Sequence, residues 1–183
     1  MEPRTDQATV RVFYALVPPP GLRHALGDVA CELARDAHGR PVPAANVHLT
    51  LAFIGAWPTA RLTPLLAAGK AVDGDAMRIT LDTRGGFHRA GVAWIGASSP
   101  PQALATLVSS LVGQLVANGV SHDERPFHPH VTLARRCRGP YRHDAVGPFA
   151  WDVDSTALMQ SETRAEGARY VRLARWPLRG ASP

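Results

Sequence analysis

The chain has 183 residues, of which 45% are hydrophobic and 19% charged; this composition suits one small globular domain and excludes a disordered chain. No apolar run approaches the roughly 20 residues that a membrane-spanning helix needs, and only two cysteines are present, Cys31 and Cys137, which excludes a disulfide framework and a cysteine-based zinc site. The net charge is +5, and Lys70 is the only lysine among the 20 basic residues. This arginine-rich surface favours an anionic partner, because guanidinium groups bind phosphate through paired hydrogen bonds.

The predicted elements follow from where apolar, β-branched and turn-forming residues cluster. Residues 1–7 are polar and contain Glu2 and Asp6, so they do not resemble a secretory signal, and we predict a cytoplasmic location. In chain order, the patterns predict a strand at 10–17, a helix at 21–37, a loop at 41–43, a strand at 46–54, a helix at 59–72, strands at 77–82 and 91–95 around a turn at 84–86, a helix at 101–118, a strand at 130–134, and strands at 149–158 and 168–173 around a turn at 162–167. Strands interleaved with three amphipathic helices predict an α+β fold.

Two of these strands carry the same pattern of histidine, an apolar residue, threonine and a second apolar residue. The first copy is His48-Leu-Thr-Leu51 and the second is His130-Val-Thr-Leu133, and each follows a helix. Since side chains alternate along a strand, the histidine and threonine of each copy share one face while the apolar pair anchors the other. The repeat indicates an internal duplication. The competing interpretation is that these polar residues lie on the exposed face of a half-buried sheet.

Two imidazoles and two hydroxyls facing one cleft would suit a phosphoester displacement without a metal. A neutral histidine can take a proton from an attacking water while a protonated histidine gives one to the leaving oxygen. The threonine hydroxyls can donate hydrogen bonds to the phosphoryl oxygens as charge builds on them. The alternative of a metal site at His128 and His130 is disfavoured, because neither motif has an acidic residue or a cysteine at ligand spacing.

Both extended motifs resemble the 2H phosphoesterase superfamily, most closely its bacterial and archaeal RNA 2′,3′-cyclic phosphodiesterases, also called 2′-5′ RNA ligases of the LigT/ThpR type. The resemblance covers nearly the whole chain and rests mainly on residues 46–55 and 125–135, with residues 11–16, 92–96 and 167–170 in support. It implies an α+β fold of two pseudo-symmetric lobes in a single domain, residues 1–183, with antiparallel sheets flanked by helices and one motif from each lobe facing a central cleft.

The resemblance also implies the reaction and the role of each site residue. The reaction opens a 2′,3′-cyclic phosphate at an RNA end to a 2′-phosphomonoester, and in reverse it joins tRNA halves. His48 would be the proton donor and His130 the proton acceptor, and no cofactor would be required. Three further residues would bind the phosphate: Thr50, Thr132 and Arg135.

Some interpretations remain open at this level. Phe13 and Tyr14 on the first strand could stack on a nucleobase, although core packing is the alternative for both. The chain could instead be a nucleotide or RNA-end binding module with incidental catalysis. A monomer is expected, because duplicated lobes already supply the twofold arrangement that a dimer would provide.

Overall fold

An antiparallel sheet with three helices makes up the computed structural model, which describes residues 8–164 and 167–181, without the side chain of Arg164. The strands are β1 (Thr9–Leu16), β2 (Arg40–Pro41), β3 (Leu49–Pro58), β4 (Met77–Phe87), β5 (Val92–Gly96), β6 (Val131–Arg135), β7 (Ala145–Val153), β8 (Ser155–Arg164) and β9 (Gly167–Pro177). The helices are α1 (Pro20–Asp36), α2 (Thr63–Lys70) and α3 (Gln102–Ala117). The prediction made for residues 1–7 lies outside the described residues. No helix in the described part is long and apolar enough to cross a membrane.

The strand order divides the sheet into two matching halves. It runs β7-β4-β5-β6-β3-β1-β8-β9, with β2 beside β6, and every pair of these strands is antiparallel. The two motif strands, β3 and β6, therefore meet in the middle, where Leu49 pairs with Val131. We call β3, β1, β8 and β9 the β3 lobe, and β6, β5, β4 and β7 the β6 lobe. The predicted α+β architecture is confirmed.

The chain crosses repeatedly between the two lobes. Helix α1 follows β1 of the β3 lobe but packs on β6, whereas α3 follows β5 of the β6 lobe and packs on β3. Strand β4 lies early in the chain yet completes the β6 lobe beside β5, and the late strand β8 completes the β3 lobe beside β1. Each lobe is thus built from both halves of the chain.

The helices bury the faces that the apolar spacing predicts. On α3 the buried residues are Leu104, Leu107, Val108, Leu111 and Leu115. Val116 is also apolar but is 66% exposed, because it lies one residue past Leu115 and so points to the outer face of the helix. Helix α1 buries one face in the same way, through Leu26, Val29, Ala30, Leu33 and Ala34.

Strand β4 differs most from the prediction. The turn predicted at residues 84–86 is wrong: β4 continues to Phe87, and the chain reverses at His88–Ala90. Gly85 and Gly86 are strand residues because the rings of Trp94 and Tyr141 lie against them, where a Cβ atom would clash. Local Arg-Gly-Gly chemistry favours a turn, and these two rings override it.

Other boundaries also differ from the prediction. The predicted strand at 149–158 is in fact the end of β7 and the start of β8, separated by Asp154. Strand β3 begins only at Leu49, because residues 44–46 form a 3-10 turn closed by a hydrogen bond from the Val47 N–H to the Ala44 carbonyl. The first residue of the predicted loop at 41–43, Pro41, belongs instead to the short strand β2, which lies beside β6.

Candidate active site

The two motif histidines are held in the same way, each one residue before its strand. His48 Nδ1 lies 2.7 Å from the carbonyl oxygen of Asn46, and His130 Nδ1 lies 2.7 Å from the carbonyl oxygen of His128. Because a carbonyl oxygen can only accept, each Nδ1 carries a proton and donates it. The reactive nitrogen of both rings is therefore Nε2. In His48 this atom lies 3.1 Å from Thr50 Oγ1.

Pairing of the two strands places the four motif side chains on one face. Leu49 and Val131 are directly opposite each other and are buried on the core side of the sheet. Their neighbours along each strand therefore point to the other side: His48 and Thr50 from β3, and His130 and Thr132 from β6. When the antiparallel pairing of Leu49 with Val131 is extended by one residue in each direction, His48 lies across from Thr132, and Thr50 lies across from His130. The two histidines are therefore diagonal neighbours. In a regular antiparallel strand pair, diagonal neighbours are roughly 7–8 Å apart, a distance that suits one phosphate between the two rings.

A β-bulge follows the threonine in both motif strands. Leu51 is the extra residue of β3 opposite Tyr14 and Ala15, and Leu133 is the extra residue of β6 opposite Ala93 and Trp94. A bulge changes which face the following residues point to. Arg135 at the end of β6 is exposed, and its positive charge acts on both motif histidines. The structure therefore brings all five of the main predicted site residues together.

Burial keeps both imidazoles neutral in the free protein. The pKa of His48 falls from 6.5 to about 4, chiefly because the ring is removed from water. The hydrogen bond to Asn46 opposes this fall, whereas the charges of Arg135 and His130 add to it. The pKa of His130 is also lowered, chiefly by burial; the hydrogen bond to the His128 carbonyl opposes this fall, and the charges of His128 and Arg135 add to it. A neutral ring with Nδ1 protonated presents Nε2 as a base, and an anion at the site would restore a proton to the other ring.

Each histidine ring is enclosed by aromatic rings, and among these only Phe13 is a residue that the sequence predicts at the site. The His48 ring centroid lies 4.8 Å from that of Phe13 and 5.0 Å from that of Tyr170. The His130 centroid lies 4.9 Å from that of Phe87 and 6.4 Å from that of Trp94. Tyr170 and Trp94 both lie in segments that carry the family resemblance, which is the signal that could have pointed to them.

The two aromatic residues predicted to stack on a base have different positions. Tyr14 is 0% exposed on the core face, where its hydroxyl donates to the Leu65 carbonyl oxygen at 2.6 Å, so of the two alternatives it is core packing, and not base stacking, that holds for Tyr14. Burial raises the pKa of that hydroxyl. Phe13 faces the cleft but is only 3% exposed beneath the rings of His48 and Tyr170. It supports His48 and leaves no open ring face for a base.

His128 contributes to the site through its backbone and its packing. Its carbonyl oxygen orients His130, and its ring contacts those of Phe87 and Trp94. Across residues 8–164 and 167–181, no three histidine, cysteine or acidic side chains are grouped so that they could hold a metal ion.

Two antiparallel lobes, each of which brings one histidine and one threonine to the cleft on its motif strand, define a class of protein. Residues 18–165 match the family model of the 2′-5′ RNA ligase superfamily, and the chain belongs to this superfamily. It is 32% identical to the RNA 2′,3′-cyclic phosphodiesterase of Escherichia coli strain K12, over 92% of this chain and 96% of that protein. It is 30% identical to the RNA 2′,3′-cyclic phosphodiesterase of Thermus thermophilus, over 93% of this chain and 91% of that protein.

Solved structures show the same likeness. The crystal structure of E. coli LigT complexed with 3′-AMP superposes with a TM-score of 0.84 at 32% identity, covering 94% of this chain and 99% of that one. The crystal structure of TT0787 of Thermus thermophilus superposes with a TM-score of 0.77 at 30% identity, covering 94% of this chain and all of that one.

Proposed function

We propose that this enzyme hydrolyses the 2′,3′-cyclic phosphate at an RNA 3′ end to a 2′-phosphomonoester, without a metal ion. The observation that carries the proposal is the matched pair of imidazoles. Both are fixed through Nδ1, and both lie on the cleft side of the Leu49–Val131 pair. Its relatives are named for this reaction. The same residues serve the reverse reaction, in which two RNA ends are joined through a 2′-5′ linkage.

In the proposed mechanism, the two histidines move one proton each. His130 Nε2 takes a proton from water, and the resulting hydroxide attacks phosphorus. The bond from phosphorus to the ribose 3′ oxygen breaks, and that oxygen takes a proton from His48 Nε2. The products are a 2′-phosphomonoester and a free 3′-hydroxyl, and the histidines return to their starting states when His130 loses a proton and His48 gains one.

Three further side chains stabilise the phosphate in this proposal. Thr50 and Thr132 donate hydroxyl hydrogen bonds to the non-bridging oxygens, on which negative charge grows as the attack proceeds. Arg135 is exposed at the end of β6 and supplies a positive charge that acts on the site. The hydrogen bond between Thr50 and His48 also holds the proton donor in position.

The partner in this proposal is RNA with a cyclic phosphate end, including tRNA halves, and the proposed location is the cytoplasm. The enzyme is proposed to act as a monomer, because β3 and β6 of a single chain supply both motifs.

Replacing either motif histidine tests the proposal. We expect His48→Ala and His130→Ala to lower kcat by about 10²- to 10⁴-fold with a 2′,3′-cyclic nucleotide, because each removes one proton transfer. His24→Ala on the exposed side of α1 is the matched control and should keep full activity. Phosphorus NMR in excess EDTA identifies the product. Near wild-type turnover by His130→Ala, or a 3′-monoester product, would rule the mechanism out, and tight binding of the cyclic nucleotide with no product would identify a binding module instead.

A further inference from the structure

A groove lined by arginines lies next to the His48 side of the cleft. Its volume is about 390 Å³, and it lies between the start of α1 and strand β9. The basic residues that line it are Arg23, Arg172 and Arg175. We call it the arginine groove.

The groove is continuous with the surface around His48. Its lining includes Val17 and Ala157, which belong to the same small apolar cluster as Phe13 on the cleft face. Val17 directly follows Leu16, the partner of Leu49, so the antiparallel register places it across from His48. On β9, Arg172 lies two residues beyond Tyr170, whose ring contacts that of His48. A ligand that leaves the site past His48 therefore enters the groove.

Two of the groove's arginines have no counter-charge in the described part of the chain. Arg23 and Arg172 form no ion pair with any described residue, and the Nε of Arg23 is buried without a hydrogen-bond partner. The groove also contains two carboxylates, but Asp152 pairs with Arg78 and Asp154 pairs with Arg175. A buried guanidinium nitrogen with no acceptor is costly, and an anionic ligand would satisfy it.

The chemistry of the RNA substrate indicates which part of the RNA would lie in the arginine groove. In the proposed mechanism His48 protonates the ribose 3′ oxygen, so the ribose of the last nucleotide lies on its side of the phosphorus. That ribose continues through its 5′ oxygen into the rest of the RNA chain. We propose, on the basis of the function proposed above, that the arginine groove binds the backbone phosphates of the RNA strand upstream of the cyclic end. Arg23 and Arg172 are the two side chains that bind them.

This assignment makes the substrate an RNA strand rather than a free cyclic nucleotide. A mononucleotide cyclic phosphate has no upstream phosphate and fills only the site between the histidines. A dinucleotide adds one phosphate on the groove side, and a tetranucleotide adds three. Each phosphate that contacts a guanidinium gains a charge-assisted hydrogen bond.

The test is a series of substrates of increasing length. The substrates are adenosine 2′,3′-cyclic phosphate and the oligoadenylates of two and four nucleotides with the same cyclic end. We expect kcat/KM of the wild-type enzyme to rise by about 10- to 100-fold from the mononucleotide to the tetranucleotide, since a hydrogen bond to a charged group contributes roughly tenfold or more. In Arg172→Ala, and more fully in Arg23→Ala/Arg172→Ala, the ratio of tetranucleotide to mononucleotide kcat/KM should fall toward one. The wild-type ratio should also fall as salt rises.

A matched variant controls for the loss of positive charge alone. Arg35 is exposed on the same helix as Arg23, three turns further on, and forms no ion pair with a described residue. Arg35→Ala should keep the wild-type ratio. Arg172 is exposed, whereas Arg23 is half-buried, so Arg172→Ala alone tests the groove without removing a side chain that could contribute to folding.

The remaining outcomes separate the two proposals. A wild-type enzyme that hydrolyses none of the three substrates would overturn the proposed function. A wild-type enzyme that is active on all three, with a ratio unchanged in both groove variants, would overturn the groove assignment alone. An equal loss on the mononucleotide and the tetranucleotide would also overturn it, because the arginines would then act on the reaction site itself.

Discussion

At the scale of single residues, the central feature is a pair of histidines that are neutral at rest. Burial among aromatic rings lowers both pKa values, yet the proposed reaction needs one ring protonated. In the proposed mechanism the substrate resolves this conflict, because a phosphate anion between the rings would stabilise an imidazolium that burial disfavours. Proton uptake is thereby coupled to substrate binding.

This coupling predicts two different pH profiles for the same enzyme. The pKa values of both histidines in the folded protein lie below 6.5, so the free enzyme carries the one imidazole proton that the reaction needs only at acidic pH. We therefore expect kcat/KM for a cyclic nucleotide to peak below pH 6.5 and to fall above it. The kcat profile should peak at higher pH, since the bound phosphate raises the pKa of the proton donor. Arg135→Gln should move the kcat/KM profile toward higher pH, because the guanidinium lowers both pKa values. Rates measured from about pH 4 to 9 check this, and coincident profiles that peak above pH 7 would contradict it.

The sequence predicted the positions of the four motif side chains better than the positions of the residues around them. His48, Thr50, His130 and Thr132 could be placed on one face because each motif has a strict two-residue alternation. On β1 every residue from Val12 to Leu16 is buried, so the pattern could not say whether Phe13 or Tyr14 faces the cleft. The contact of Tyr170 with His48 joins residues far apart in the chain, and no local pattern encodes it.

At the scale of elements, strand β4 depends on contacts from the rest of the molecule. Gly85 and Gly86 remain in the strand because rings from β5 and from the loop before β7 cover them. The preceding residue, Arg84, is 6% exposed and pairs with Glu32 on α1 and Asp144 before β7. The Arg84 guanidinium therefore links β4, α1 and the segment before β7. The residue pattern of β4 alone does not predict these contacts.

Removing that guanidinium should be costly. We expect Arg84→Ala to lower the free energy of unfolding by roughly 2 kcal/mol, because the buried guanidinium loses its charged hydrogen bonds, although the partly exposed carboxylates of Glu32 and Asp144 can be hydrated in its place. The control is Arg78→Ala on the same strand, whose pair with Asp152 is exposed and should contribute nothing measurable. Urea unfolding measures both variants, and equal stability of the two would show that the Arg84 network does not stabilise the fold.

At the scale of the whole molecule, the site is formed by two lobes of one chain. The motif strands meet at the centre of the sheet, and the outer strands of each lobe mirror those of the other. The repeated motif predicted this duplication. The exchange of α1, α3, β4 and β8 between lobes could not be predicted, because periodicity identifies a buried face but not the surface that buries it.

A complete site within one chain predicts activity that does not depend on assembly. We expect specific activity to stay constant as the enzyme is diluted from micromolar to nanomolar concentration, and sedimentation to give the mass of one chain. Activity that falls on dilution, together with a species of twice the mass, would show that a second chain contributes to the site.

The pairing of β1 with β8 has a consequence for how the protein is made. Strand β1 is synthesised well over a hundred residues before β8, one of its two neighbours in the sheet. Until β8 has emerged from the ribosome, β1 of the nascent polypeptide has an unpaired strand edge, and the cleft is incomplete. The β3 lobe is therefore complete only once β8 is available to pair with β1, and until then a chaperone that covers exposed strand edges would have a binding site on β1.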